Sequence, residues 1–319
     1  MADPPATEAT MDAAATTPLA EEPNFVELFG GTALRAADAE AVTLRSRTHL
    51  VVLAGAEGSG KTTVVASIYE RLSQGPFAGF RFAGSRSLLG FEEVCHLNRL
   101  ASGGAQPDTQ RTIPAEEASY YHLALKAGQD GAQRRDVLLS AVSGELFRMA
   151  KDMRDYAERL TYLRRADTIA VLIDGARLAV LEQRTNAQTE AAAILESFLD
   201  AKMVGASCRV EFVFSKLDRV NAAGRPALDF LKKTQEKLET KFGDLVPGLS
   251  FRKIAARPDP SVSNDGFRVG LTDAFASWTS PRAVAGETGK LAAPSVGERE
   301  FSKFGWRHFE RSRRDLTDE

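Results

Sequence analysis

The segment Gly55-Ala-Glu-Gly-Ser-Gly-Lys61-Thr62-Thr63 satisfies the spacing G-x-x-x-x-G-K-[ST] and directly follows the apolar run His49 to Ala54. Glycines at 55, 58 and 60 permit backbone angles and close approaches that side chains would block, so successive amide N–H groups can turn inward around a phosphate. A helix starting at Thr62 would direct the positive end of its dipole at the same anion. Lys61 supplies a point charge to the β- and γ-phosphates of a nucleotide, and the Thr62 hydroxyl is a hard oxygen ligand suited to Mg²⁺. Glu57, Ser59 and Thr63 complete the phosphate-side set. The alternative, a Gly-rich strand-to-helix turn that binds nothing, does not account for the complete motif together with both flanking elements.

A second chemistry-bearing segment is Ser215-Lys216-Leu217-Asp218, which ends the apolar run Val210 to Phe214. A carboxylate there can accept hydrogen bonds from guanine N1–H and the exocyclic amine, a donor pair that adenine does not offer on that edge. The aliphatic stem of Lys216 can lie along a base. So short a K-x-D match is commonly a solvated loop; its place at the end of a strand in a doubly wound sheet, where ligands bind, is what gives it meaning. Asp174 offers a competing assignment. It ends the apolar run Thr168 to Ile173 in the manner of the carboxylate that holds magnesium water in many P-loop ATPases. His96, His122 and His308 are not spaced as metal ligands and read as packed or exposed residues.

Ser215-Lys-Leu-Asp218 resembles the [NT]KxD guanine motif of Ras-like GTPases, with Ser keeping the hydroxyl of Thr. Three further stretches are similar to the bacterial double-GTPase family, of the translation-factor-related class. These are Phe82-Ala-Gly-Ser-Arg-Ser-Leu-Leu-Gly-Phe-Glu92, then Asp108-Thr-Gln-Arg-Thr112 with Tyr121-His-Leu-Ala-Leu125, and Ile173-Asp-Gly-Ala-Arg-Leu178. The similarity spans roughly residues 48 to 280. It implies a GTPase that binds GTP or GDP with Mg²⁺, in a bacterial signalling or conflict setting with a protein partner or second GTPase. Ala255-Ala256-Arg257-Pro258 matches the family's guanine-specificity segment, whose backbone amides would meet the guanine O6.

The same resemblance implies switches at 105–120 and 143–160, with Thr112 as the switch Thr on Mg²⁺ and the γ-phosphate. Hydrolysing relatives carry D-x-x-G, the Asp holding Mg²⁺ through water and the Gly amide meeting the γ-phosphate. Here the segment reads Ala141-Val-Ser-Gly144-Glu145. Alanine cannot hold a metal-bound water, so slow or partner-stimulated hydrolysis is expected. Glu145 falls where a water-positioning Gln is frequent and could act as a base; it equally suits the first turn of a helix. Two alternatives stay open: a GTP-sensing module that does not hydrolyse, and an ATPase using Asp174 for magnesium water.

The elements that must position these residues follow from periodicity. Short β-branched or apolar runs alternate with helix-period stretches, the pattern of βα units. Strands are expected at His49 to Ala54, Gly79 to Ala83, Tyr121 to Ala127, Val137 to Val142, Thr168 to Ile173, Arg209 to Phe214 and Phe251 to Ala255. Helices are expected at Thr62 to Ser73, Leu89 to Leu100, Leu146 to Leu160, Asn186 to Lys202, Asp229 to Phe242 and Leu271 to Trp278. No helix pattern separates Tyr121–Ala127 from Val137–Val142, which predicts an antiparallel pair joined by the Gly128 to Arg134 turn. The expected class is α/β, a three-layer P-loop NTPase fold whose Ras-like sheet is mostly parallel with one antiparallel strand pair.

Residues 1–24 are rich in Ala, Pro, Thr and acids and lack basic residues, predicting a disordered acidic arm before a Ras-like domain at 40–280. Residues 281–319 read as a linker and a tail in which Phe301, Phe304, Trp306 and Phe309 sit among charges. Of the 319 residues, 41 are Lys or Arg and 43 Asp or Glu, giving a net charge of −2 that argues against a nucleic-acid partner. Apolar runs are far shorter than the ~20 residues of a membrane span, so a cytoplasmic location is expected. Cys95 and Cys208 lack metal or redox spacing and read as small packed hydrophobes in a reducing compartment.

Overall fold

The computed structural model describes residues 30–46, 48–96, 118–127, 133–141, 160–258 and 269–280. The acidic arm, the C-terminal tail, the turn at 128–132 and the switch segments, apart from residues 118–120 and Leu160, lie outside these.

The strands are β1 (Thr48–Gly55), β2 (Phe80–Gly84), β3 (Ser119–Ala127), β4 (Gln133–Ala141), β5 (Thr168–Asp174), β6 (Arg209–Ser215) and β7 (Ser250–Lys253). They form one sheet in the order β2-β3-β4-β1-β5-β6-β7. From β4 to β7 every pairing is parallel. The expected antiparallel pair β3/β4 is present, with Tyr121 opposite Leu139. β3 also pairs antiparallel with β2, so one reversed strand lies inside an otherwise co-directional sheet. Because β1, β4, β5 and β6 run the same way, Gly55, Ala141, Asp174 and Ser215 all end at one edge of the sheet.

Alternation along the central strands explains the layers. Leu50, Val52 and Ala54 of β1 face one core with Ile169, Val171 and Phe212, while Val51 and Leu53 face the other with Leu172 and Val213. The first core is covered by α1 (Ala36–Thr43), α5 (Arg184–Asp200) and α7 (Arg225–Phe242). The second is covered by α2 (Lys61–Gln74), α3 (Leu88–His96) and α8 (Leu271–Thr279). Two short helices, α4 (Gly175–Ala179) and α6 (Leu217–Ala222), follow β5 and β6. Phe198, Phe212, Phe275 and Trp278 are fully buried, and each such side chain stabilises the fold by about 2 kcal/mol. Helices on both faces of a mostly parallel sheet are the expected three-layer arrangement.

Two buried polar residues of the sheet, His122 and Glu211, are held by several partners. His122 accepts a hydrogen bond from the Arg86 amide at Nδ1, so its Nε2–H donates to Asp136, 2.9 Å away. Burial holds this imidazole below the usual histidine range against the pull of Asp136. Glu211, in the middle of β6, accepts from Arg252 at 2.7 Å, Ser250 at 3.0 Å and the Trp278 indole at 2.5 Å. The last turn of α8 is held from below. Its carbonyls at Ser277, Trp278 and Thr279 accept from Arg209, Thr168 and Arg135, which places two cations at the negative end of the helix.

Candidate nucleotide site

β1 delivers the chain to the sheet edge at Gly55, and the loop 56–60 turns it into α2. Gly58 and Gly60 adopt left-handed angles, φ 76° and 95°, and Gly60 caps the helix. A β-carbon on Gly55 would lie 2.7 Å from the Ser59 hydroxyl oxygen and 2.9 Å from the Leu172 carbonyl oxygen, so the loop closes only over glycine. Ser59 is buried against that point. The Lys61 ammonium donates to the carbonyls of Gly55 at 2.9 Å and Ala56 at 3.0 Å, which hold it across the loop. Desolvation there lowers its pKa to about 8, with the Glu57 carboxylate pulling the other way. Thr62 and Thr63 occupy the first turn of α2, partly exposed.

The second segment reaches the same edge through β5 and β6. Asp174 and Ser215 are register partners. The Ser215 hydroxyl donates to the Ile173 carbonyl at 3.1 Å, and Ser215 lies about 4 Å from where a β-carbon on Gly60 would be. Lys216 takes a left-handed conformation, φ 50°, which turns the chain away from the strand into α6. Asp218 is buried in that helix's first turn. The Leu217 amide donates to the Ile254 carbonyl at 3.0 Å, bringing Ser215–Asp218 against Ile254–Arg257.

Asp174 stands between the two segments. One of its oxygens accepts from the Ala176 amide at 2.9 Å and caps α4; the other accepts from the Lys216 ammonium at 2.9 Å. That second oxygen is 4.0 Å from where a β-carbon on Gly58 would lie, so the same carboxylate borders the phosphate loop. Both oxygens are thus engaged with protein groups.

A family model described as Double-GTPase 2 matches residues 49–279. The chain belongs to the Double-GTPase 2 family. It is therefore a GTP-binding P-loop protein. Among solved structures the chain is similar to one described as the signal recognition particle receptor SRb-GTP/SRX complex from Chaetomium thermophilum. The identity is 14%, the match covers 72% of this chain and 98% of that chain, and the TM-score is 0.43. No curated protein sequence matches the chain.

In this double-GTPase the residues expected on the phosphate side, Gly55 to Thr63, and on the base side, Ser215, Lys216 and Asp218, lie at the same edge of the sheet, where Ser215 approaches Gly60. Thr112, Gly144 and Glu145 lie outside the described residues. Ala141 ends β4 at the phosphate-loop edge, opposite Ser119. Ala255 and Ala256 are both buried, and the Ala255 amide donates to the Val269 carbonyl at 3.0 Å. The sequence offers Asp174 as a magnesium-water carboxylate and does not reveal its link to Lys216. Periodicity carries no signal for that pair, since Asp174 ends one strand and Lys216 follows the end of its neighbour. No described helix is long and apolar enough to cross a membrane, and no cluster of three or more metal-ligating side chains occurs among the described residues.

Proposed function

We propose that this chain is a guanine-nucleotide switch that hydrolyses GTP to GDP and phosphate slowly, or only when a protein partner stimulates it. The observation that supports this most is the junction at Asp174, where one carboxylate touches the base-side Lys216 and borders the phosphate loop at Gly58. Gly55 to Lys61 cradle the phosphates; Asp218 accepts from the guanine N1–H and amine; the Ala256 amide meets O6. Thr62, a hard oxygen at the start of α2, together with Thr112 would hold Mg²⁺, which neutralises charge on the β- and γ-phosphates.

In hydrolysis a water oxygen bonds to the γ-phosphorus as the bond to the bridging oxygen breaks. Glu145 orients that water and Gly144 donates an amide to the γ-phosphate. With Ala141 at the usual Asp position, the chain contributes no carboxylate to the metal's water shell from β4. The setting proposed is a cytoplasmic one in a bacterial signalling or conflict system, with a second GTPase or other protein as partner. Binding and turnover of GTP and ATP by the purified chain, each with and without Mg²⁺, test the reading. Preferential GTP binding with slow Mg²⁺-dependent release of phosphate is expected. Preference for ATP would replace the reading by the ATPase alternative, and binding without turnover would leave a GTP sensor.

A further inference from the structure

We propose that Asp174 is a specificity-determining positioning residue, which orients Lys216 over the base and ties the base-reading segment to the phosphate loop. The proposal rests on the reading of Ser215–Asp218 as the guanine-reading segment.

Three observations carry it. First, the Asp174 carboxylate is buried, with its side chain only 6% exposed, and forms an ion pair of 2.9 Å with the 37% exposed Lys216. A lysine stem has several rotatable bonds and no geometric preference of its own, so an anchored anion at its tip decides where the stem lies. Second, the anchor is itself fixed. The other carboxylate oxygen accepts from the Ala176 amide, and Asp174 is in register with Ser215 on the neighbouring strand. The acceptor that orients Lys216 therefore cannot shift without moving α4 or β5. Third, the residue after the anchor has no side chain. A β-carbon on Gly175 would collide with the carbonyl oxygen of Ser215 and lie 3.0 Å from that of Lys216. The Asp174-Gly175 pair thus holds the base-reading segment twice, by charge at the Lys216 tip and by backbone contact at its root.

Because Asp174 also borders Gly58, the arrangement lets the base side and the phosphate side report on each other. Displacing the Lys216 ammonium changes the charge balance beside the phosphate loop, and a crowded loop would push on the carboxylate that aims Lys216.

The test is a double-mutant cycle on the full chain with Asp174→Asn, Lys216→Ala and the combination, measuring affinities for GTP, ATP and inorganic tripolyphosphate. Asparagine retains an oxygen to cap α4 and removes the negative charge, so melting temperature should hold. The expected result is that Asp174→Asn lowers the GTP-over-ATP preference by about ten-fold, the scale of coupling between contacting residues. Tripolyphosphate affinity should change far less, and the effect should vanish when Lys216 is already alanine. Equal losses for all three ligands, or additive losses in the cycle, would overturn the proposal by making Asp174 merely structural or phosphate-directed. A native chain with no preference for GTP over ATP would instead overturn the guanine reading on which it rests.

Discussion

Gly175 and Ser215, on adjacent strand ends, approach so closely that the Ser215 carbonyl oxygen occupies the place where a β-carbon on Gly175 would project. The closeness lets α4 turn back immediately after β5, and it seats the start of the base-reading segment directly on the end of its neighbour. Gly175→Ala should therefore separate the two strand ends. Overpacking against backbone, which cannot rotate away, costs on the order of 3 kcal/mol. Thermal unfolding should show a clear fall in melting temperature, and GTP affinity should fall in the protein that remains folded. A variant with native stability would mean that the backbone yields there at no cost.

Asp218→Asn changes the hydrogen-bonding character of the base reader while keeping its size. The carboxylate is buried in the first turn of α6, so its partners count for more than at a wet surface. GTP affinity should fall about a hundredfold, or ~2.7 kcal/mol, and XTP, whose C2 carbonyl suits an amide donor, should become the better ligand. Competition between GTP and XTP on the variant measures this directly. Retained preference for GTP would show that another group reads the base edge.

Lys61 makes a pH prediction. Burial under the loop lowers its pKa from 10.5 to about 8, so between these values the unfolded chain holds a proton that the folded chain has released. Stability rises with pH wherever the unfolded state binds more protons, so this group makes the nucleotide-free protein gain stability as pH climbs across that window. Lys61→Met removes the contribution. Melting temperatures recorded across that range should climb less in the variant than in the native chain. Bound GTP should flatten the native curve too, because phosphate oxygens favour the charged ammonium. Parallel curves for both proteins would refute the assignment.

The five inner strands, β1, β3, β4, β5 and β6, were legible because each carries an apolar stretch, whereas of the edge strands β2 showed only an alternation and β7 only the flank of such a stretch. β4 begins at Gln133, earlier than its apolar pattern at Val137 indicates. The turn expected over Gly128 to Arg134 took in the first two residues of the strand, and Asp136 carries no apolar signal although it is buried, with His122 and Arg134 satisfying it from the neighbouring strand and its own. α1 escaped notice because Ala36–Thr43 buries only Ala39 and Val42, too few to mark a face. α4 and α6 are shorter than the window in which helical periodicity can be read, and they owe their form to strand-end contacts. The phosphate loop was fully legible, since its chemistry is encoded in consecutive residues. The Asp174–Lys216 pair was not, because it is made by register between β5 and β6.

Ala141→Asp tests the hydrolytic side of the proposed function. β4 runs parallel to β1, so a carboxylate introduced at its end joins the edge that holds the phosphate loop. Single-turnover GTP hydrolysis and Mg²⁺ affinity should both rise, by about ten-fold for one added hard ligand to a water shell. Circular dichroism must first establish that the variant folds, since an unpaired strand-end carboxylate loses solvation. A folded variant that turns over no faster would remove Ala141 from the account of slow hydrolysis.

The clasp at the end of α8 bears on how far the chain can be shortened. The segment leading to Ala256 is tied to Val269 just before α8 begins, and α8 is fastened by Arg135, Thr168 and Arg209 to three different strands. Trp278 supplies one of the donors to Glu211, which is fully buried in β6. A fragment cut after Pro258 would keep every described residue proposed to meet the nucleotide, yet it would strip a donor from a buried anion and bare the face of Val213 and Ile254 to water. A shortened recombinant form should therefore extend at least through Thr279, so as to keep a last turn fastened at the opposite edge of the sheet from the phosphate loop.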